Sequence, residues 1–412
     1  MKKQGYVIIG NSTAAAGCIG AIRKLDMQSP ITVVSKEPHH IYSRPLISYL
    51  LLGKTDRERM LYRPRDFYEK NRVTLLSGIA AQSIDPQAQR VALADGTILP
   101  YDELLVATGS SPFLPPTEGI EQVKKHFTFM TLDDALALQA ALSADSRVLI
   151  IGAGLIGLKC AEGIRHLVRS IDVVDMAGRI LPSILDEDGA KIVQTHLEQQ
   201  GIRFHLAAKV AQYQGQQALL DNGETIPFDV VVTAVGVRPN VQLVQDAGGE
   251  IRRGIATDAF CRTSLPHVYA AGDCAESRDI VSGQERVLAL LPNAYMQGEC
   301  AGYTMAGKPT PYDSAIAMNA IGFFGLHVLS AGNYEGEALT TQGNGRYKKL
   351  FVKDGMLNGY ILIGNVDRAG IYTALVRNRT PLAEVDFQKM QISPQMIDFS
   401  QTVRKAALAA PH

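Results

Sequence analysis

A chain of 412 residues is too long for a single hydrophobic core and suits two or three domains. Its 41 Lys and Arg balance 41 Asp and Glu, so no global field draws it to nucleic acid or to an anionic membrane; with 46% apolar and 20% charged residues its composition is that of a globular protein. No apolar run approaches the roughly 20 residues that span a bilayer, and the five cysteines form no CxxC or CxxxxC pair, which argues against a local redox disulfide and a metal or iron–sulfur site of ordinary spacing.

The start, Met1 to Gly5, runs directly into the apolar Tyr6-Val7-Ile8-Ile9. A glycine motif follows where a signal peptide would carry a polar cleavage region, so a structural strand and a cytoplasmic protein are expected. The motif is Gly10-Asn11-Ser12-Thr13-Ala14-Ala15, with a helix continuing through Gly17 to Lys24 and a second strand at Ile31-Thr32-Val33-Val34. A hairpin through Asp95-Gly96 and the buried-type strand Glu103-Leu104-Leu105-Val106-Ala107-Thr108-Gly109, ending at a glycine, complete this half. Ser111 to Pro116 is Pro-rich and reads as a linker.

The plan then repeats. Val148-Leu149-Ile150-Ile151 leads into Gly152-Ala153-Gly154-Leu155-Ile156-Gly157, the strand Asp172-Val173-Val174-Asp175 follows, a hairpin turns at Asp221-Asn222-Gly223, and Asp229 to Gly236 mirrors residues 103–109. In each half a strand turns sharply into a helix whose first amides can hold a pyrophosphate, so the chain is expected to hold two dinucleotides. Near Asn240 the chain is expected to return to the first domain, with Val268-Tyr269-Ala270-Ala271-Gly272-Asp273 as a strand ending in Gly-Asp. Beyond residue 320 a hairpin through Lys353-Asp354-Gly355 and a helix near Ala369 to Val376 read as a smaller third domain, and the Ala-rich C-terminus reads as frayed. The partition is therefore 1–112, first part of the first dinucleotide domain; 113–239, second dinucleotide domain; 240–320, return to the first; and 321–412, C-terminal domain. Cys18 and Cys160, on the helices after the two motifs, read as small buried hydrophobes.

Taken in order, the two motifs, Tyr42-Ser43-Arg44-Pro45-Leu46, Ala107-Thr108-Gly109, Ala234-Val235-Gly236-Val237-Arg238-Pro239-Asn240 and Ala271-Gly272-Asp273 resemble the pyridine nucleotide–disulfide oxidoreductase superfamily. More narrowly, the chain is similar to NADH:rubredoxin or ferredoxin reductases and to the flavoprotein part of NADH-dependent nitrite reductases. The resemblance spans nearly the whole chain. It implies an α/β fold with two Rossmann-like, glutathione-reductase-like dinucleotide-binding domains plus a small α+β C-terminal domain. FAD is the cofactor implied for the first site and NADH for the second.

The resemblance also distributes roles. Gly10, Ser12 and Ala15 would hold the FAD pyrophosphate; the last two replace glycines but stay small. Glu37 would bind the FAD ribose, Arg44 and Pro45 would lie beside the flavin, and the Ala81 backbone would touch adenine. Thr108 and Gly109 would close over the cofactor and Gly272-Asp273 would reach the ribityl chain. Asn293 would open a helix whose positive end faces the flavin. Gly152, Gly154, Ile156, Gly157 and Gly236 would line the NADH site. Asp175, at a strand end, would accept both ribose hydroxyls and repel the extra phosphate of NADPH, which makes NADH the expected donor; Arg179, four residues on, is the one nearby cation that favours NADPH.

Two residues are expected to act on the chemistry itself, Arg44 and Lys159. Relatives often pair a Lys at the position of Tyr49 with a Glu at the position of Lys159, near flavin N5. Here the Lys stands on the other element and the sequence offers no evident acid partner. A lone charge about 4 Å from the flavin is worth up to roughly 4 kcal/mol at an effective dielectric near 20, or up to about 90 mV in a two-electron potential. The alternative is that Lys159 points to solvent and Tyr49 simply packs. His39-His40 reads as a solvated loop, and the aromatics of Phe323-Phe324-Gly325-Leu326-His327 read either as core or as a wall over the flavin.

The implied reaction is hydride transfer from NADH to flavin N5. Residues 38–60 hold no cysteine, so disulfide chemistry beside the flavin is not expected. Electrons would leave singly to a rubredoxin, a ferredoxin or an iron–sulfur subunit. The alternatives are an NADH oxidase that reduces oxygen directly and a flavoprotein acting mainly as a structural subunit of a larger complex. A homodimer through the third domain is a further expectation.

Overall fold

The computed structural model describes residues 4–343 and 345–400. The expected frayed C-terminal end and the first three residues lie outside the described residues. By internal packing the chain forms two compact units. One runs to Ile180 and adds Gly201–Arg278 and Glu285–Asp313; the other takes Leu181–Gln200, Asp279–Gln284 and the chain from Ser314. Among the described residues no helix is long and apolar enough to cross a membrane.

The first unit holds two parallel five-stranded sheets. The first has the order Val268–Ala270, Glu103–Val106, Tyr6–Ile9, Ile31–Ser35, Val73–Ser77. The second has the order Ile202–Leu206, Ser170–Asp175, Arg147–Ile151, Val230–Thr233, His126–Phe127. These central strands are unbroken apolar runs because parallel sheets are covered on both faces; Ile8, Val33, Leu104, Ile150 and Val231 are fully buried. In both sheets the strand order reverses beside the strand that carries the glycine motif, which opens a crevice at the strand's C-terminal end.

Part of the Pro-rich stretch is not a linker. Ser110–Pro112 pairs antiparallel with Val237–Pro239 in a two-stranded ribbon. Beside it Thr108 Oγ1 donates to the Asn240 carbonyl at 2.7 Å and Asn240 Nδ2 donates back to the Thr108 carbonyl at 2.9 Å. Proline fits here because a two-stranded ribbon leaves amides without a ladder partner.

Helix Thr13–Leu25 packs backbone to backbone on helix Leu291–Met305. A Cβ on Gly298 would stand 1.9 Å from the Ala14 carbonyl oxygen, which explains the small residues at the contact. Cys18 is fully buried there, a small hydrophobe as expected.

The second unit is built on an antiparallel sheet ordered Met318–Phe323, Leu326–Gly332, Met356–Ile363, Arg346–Lys353, Glu337–Gly343. Helix Ala369–Asn378 packs Tyr372, Leu375 and Val376 onto Tyr360 and Leu362. Phe323 is core, fully buried. Helix Glu187–Gln199 is part of this unit although in sequence it lies between two strands of the second parallel sheet. Asp186 caps it, accepting from the Gly189 amide at 3.0 Å, the Tyr347 hydroxyl at 2.6 Å and Lys349 Nζ at 2.6 Å. Tyr334 donates its hydroxyl to the Ile184 carbonyl, and His196 Nε2 meets the Phe323 carbonyl.

Burial disfavours the Asp186 carboxylate, but the bonds from Lys349, Tyr347 and Gly189 outweigh it and hold the pKa below the ordinary value. A depressed carboxyl pKa stabilises the fold above the unfolded-state pKa, and that contribution is lost as pH falls through the folded-state value. Asp186→Ala is therefore expected to lose about 2–3 kcal/mol at pH 7 through the cap and the charged hydrogen bonds. The gap from the native chain should close at acid pH, as read from urea unfolding curves at each pH.

Candidate cofactor site

The first motif turns at Gly10, whose φ of +113° is available to glycine and whose Cβ would stand 2.0 Å from the Ala107 carbonyl oxygen. The turn is tied by the Gly10 amide to the Val34 carbonyl at 2.8 Å. Ser12 stands at the helix N-cap with no capping bond of its own, and Ala15 is fully buried at the place of the third glycine. Asn11 fixes the outside of the turn: it accepts from the Tyr68 hydroxyl at 2.7 Å and donates to the His39 carbonyl at 3.3 Å. Sequence reasoning missed Asn11 and Tyr68, since a contact across 57 residues leaves no local pattern.

Thr108, Gly109, Gly272, Asp273 and Asn293 gather at the same crevice. Gly272 lies between the two helix starts: its amide donates to Gln297 Oε1 at 2.7 Å, and a Cβ there would touch Ala14 and Ala294. Asn293 is buried and accepts from the Tyr312 hydroxyl at 3.0 Å. Burial pushes the Asp273 carboxyl above its ordinary pKa, and the Ser110 hydroxyl at 3.4 Å and the Arg44 charge pull it partly back.

Arg44 and Pro45 form the turn Arg44–Leu46. Arg44 pairs with Glu37 and donates to the Met130 carbonyl; burial works against its charge, and Tyr42, Glu37 and Asp273 outweigh that. Glu37 also accepts from the Tyr42 hydroxyl at 2.6 Å, so the expected ribose acid is held by two residues of its own loop. Ala81 opens strand Ala81–Asp85 and packs on the core beneath the first sheet. The histidine loop is more structured than expected of a solvated one: His39 meets Asp133 at 2.8 Å and the His40 ring stands edge-on to Tyr68 at 4.9 Å.

The second motif repeats the geometry. Gly152 has φ +112° and a Cβ would stand 2.3 Å from the Ala234 carbonyl oxygen, while a Cβ on Gly157 would stand 2.0 Å from the Gly152 carbonyl oxygen. Gly154 differs from both. Its φ is not positive and a Cβ there would meet no protein atom within 4 Å, so packing does not require glycine. Open space above a helix N-terminus is the cradle that a pyrophosphate fills. Asp175 Oδ2 accepts from the Ala153 amide at 2.6 Å and Oδ1 from the Ala177 amide at 2.7 Å, so this carboxylate braces the loop as well as facing it. Ile156 lies in the first turn of helix Leu155–Ile164, and Gly236 follows strand Val230–Thr233 on the other side of the crevice. The residues present fit a dinucleotide at each motif.

Lys159 corrects the sequence reading. It has an acid partner, Glu162, one turn along the same helix; Glu162 is 3% exposed and Lys159 16%. The Lys159 ammonium also stands 4.3 Å from the centroid of the Tyr49 ring, on helix Ile47–Leu51. The i,i+3 spacing of Lys159 and Glu162 was the signal available in the sequence. The pair carries no net charge, so the lone-cation field does not apply.

Residues 4–298 match the pyridine nucleotide-disulphide oxidoreductase family, and residues 318–380 match the rubredoxin NAD+ reductase C-terminal domain. The chain belongs to the pyridine nucleotide-disulphide oxidoreductase family. It is an oxidoreductase of the FAD- and NADH-dependent kind that this family comprises. Among relatives, it is 33% identical to the NADH-dependent phenylglyoxylate dehydrogenase subunit epsilon of Aromatoleum evansii, over 92% of each chain. It is also 33% identical to the assimilatory nitrate reductase electron transfer subunit of Bacillus subtilis, covering 95% of this chain but 51% of that protein. Putidaredoxin reductase, solved in covalent complex with putidaredoxin, shares the family fold with a TM-score of 0.86 over 99% of both chains at 23% identity.

Proposed function

We propose that this oxidoreductase takes electrons from NADH at the Gly152 motif and passes them singly to a separate iron protein, a rubredoxin, ferredoxin or iron–sulfur subunit. The observation that carries the acceptor is the state of the cysteines. All five are buried, and burial pushes the thiols of Cys18, Cys160 and Cys274 well away from the reactive thiolate. Cys261 is pushed up as well, and Cys300, drawn down by its hydrogen bond with Cys261, is buried with the rest, so a thiol relay to a disulfide substrate has no exposed nucleophile. The match of residues 318–380 to a rubredoxin reductase domain supports the same reading.

Bound FAD supplies the junction between two-electron and one-electron chemistry. The chain's residues orient and tune. In our reading residues 1–112 and 240–320 hold FAD, and 113–239 hold NADH. Gly10, Ser12 and Ala15 admit the FAD pyrophosphate, and Arg44 and Asp273 set the charge beside the cofactor. Gly154 admits the NADH pyrophosphate, and Asp175 accepts the ribose hydroxyls and disfavours the phosphate of NADPH. The Lys159–Glu162 pair, packed on Tyr49, holds a fixed dipole between the two motif halves.

Anaerobic stopped flow tests this. NADH should bleach the flavin band of the FAD-loaded protein, and oxidised rubredoxin should restore it far faster than air does. Fast recovery in air alone would make the protein an NADH oxidase, and no bleaching would leave a structural flavoprotein.

A further inference from the structure

Residues 54–72 carry seven cations against four carboxylates, in a chain with no net charge. Three of the carboxylates are spent locally, in the pairs Asp56–Arg59, Glu58–Arg65 and Asp66–Lys70. Lys54, Arg57 and Arg63 have no carboxylate partner among the described residues. Lys54 and Arg57 are exposed and Arg63 is half-buried.

Arg63 is held in another way. Its guanidinium lies 4.9 Å from the Tyr62 ring centroid, 5.5 Å from Tyr295 and 5.9 Å from Phe67. All three rings are half-buried. Tyr62 and Phe67 rest on a small core of Ala16, Ile41 and Tyr68. Tyr295 is the residue after Ala294, which lines the crevice at Gly272. The patch therefore begins where the wall of the cofactor crevice ends.

We infer that Arg63, with Tyr62, Phe67 and Tyr295 beneath it and Lys54 and Arg57 nearby in sequence, is the docking surface for an acidic one-electron carrier protein. The inference rests on the proposed function and names where the acceptor binds. The occupant follows from charge: three cations that the chain does not neutralise attract carboxylates. A guanidinium already stacked on rings gives up little freedom when a partner covers it, and its edge donates two parallel hydrogen bonds to a carboxylate. Arginine and tyrosine in a half-buried cluster are also the residues that dominate protein interfaces.

The test compares native holoenzyme with Arg63→Glu and Arg57→Glu. The readouts are NADH-driven reduction of a net-negative rubredoxin at low and high salt, and reduction of ferricyanide. Both variants should raise the rubredoxin KM, by about tenfold or more for Arg63→Glu, and flatten its salt dependence. FAD content and ferricyanide turnover should stay within about twofold of native, since neither side chain is placed among the cofactor residues. Arg57 is exposed, so that variant keeps the test decisive if Arg63→Glu unfolds. Unchanged rubredoxin KM in the folded variants would overturn the surface while leaving the function standing. A native enzyme that turns over ferricyanide but never rubredoxin would overturn the acceptor reading, and the surface with it.

Discussion

Gly152→Ala is expected to keep its FAD and to lose its use of NADH. The variant must adopt φ near +112° with a side chain, and its Cβ would press to 2.3 Å on the Ala234 carbonyl oxygen. The turn has to open, which withdraws the amides of helix Leu155–Ile164 from the crevice. A loss of about 3 kcal/mol in binding corresponds to roughly a hundredfold rise in the NADH concentration that half-saturates flavin reduction. Dithionite should still bleach the flavin, because the Gly10 motif is on the other sheet. Gly154→Ala is the informative companion. Its Cβ meets no protein atom, so the fold should be as stable as native, yet the methyl occupies the cradle. If Gly154→Ala bound NADH like the native enzyme, the cradle would be misassigned.

The second large effect is on stability. Lys159→Met should destabilise the holoenzyme by about 3–5 kcal/mol, because it breaks an ion pair in which Glu162 is 3% exposed. Adding Glu162→Gln should recover most of that loss, and urea unfolding of the two variants beside the native protein measures it. The same double variant speaks to the flavin potential. A lone Lys159 cation would make its removal worth up to about 90 mV; removing a neutral pair should shift the potential by much less. Equal stability of Lys159→Met and the double variant would show that Glu162 does not depend on Lys159.

The parallel sheets were legible because a strand buried on both faces is a run of apolar residues, as Val148 to Ile151 and Val230 to Val232 are. The crevices were legible because Gly10 and Gly152 occur where only glycine allows the turn. The return of the chain after Asn240 was visible in Val268 to Ala270, another short apolar run, which pairs with Glu103–Val106. Contacts between side chains off a regular helix or strand spacing were not visible. Tyr42 and Arg44 hold Glu37 within one irregular loop, and Tyr68 holds Asn11 across 57 residues. Ser111 to Pro116 read as a linker since the strand character of its first residues comes from Val237–Pro239, more than a hundred residues away. Lys159 is the opposite case: its acid partner, Glu162, stands three residues along the same helix.

The chain leaves the first unit at Ile180 and at Arg278 and comes back both times before its final departure at Asp313. The C-terminal unit is therefore not a cassette that a stop codon or a gene fusion can add or remove. A chain ending before Ser314 would still carry helix Glu187–Gln199, now without Tyr347 and Lys349 to hold its cap or Phe323 to meet His196. Grafting this unit between relatives means transplanting three separate stretches of sequence at once. A single crossover in the gene would separate parts that pack on one another, so recombination would be expected to pass this unit on with its host.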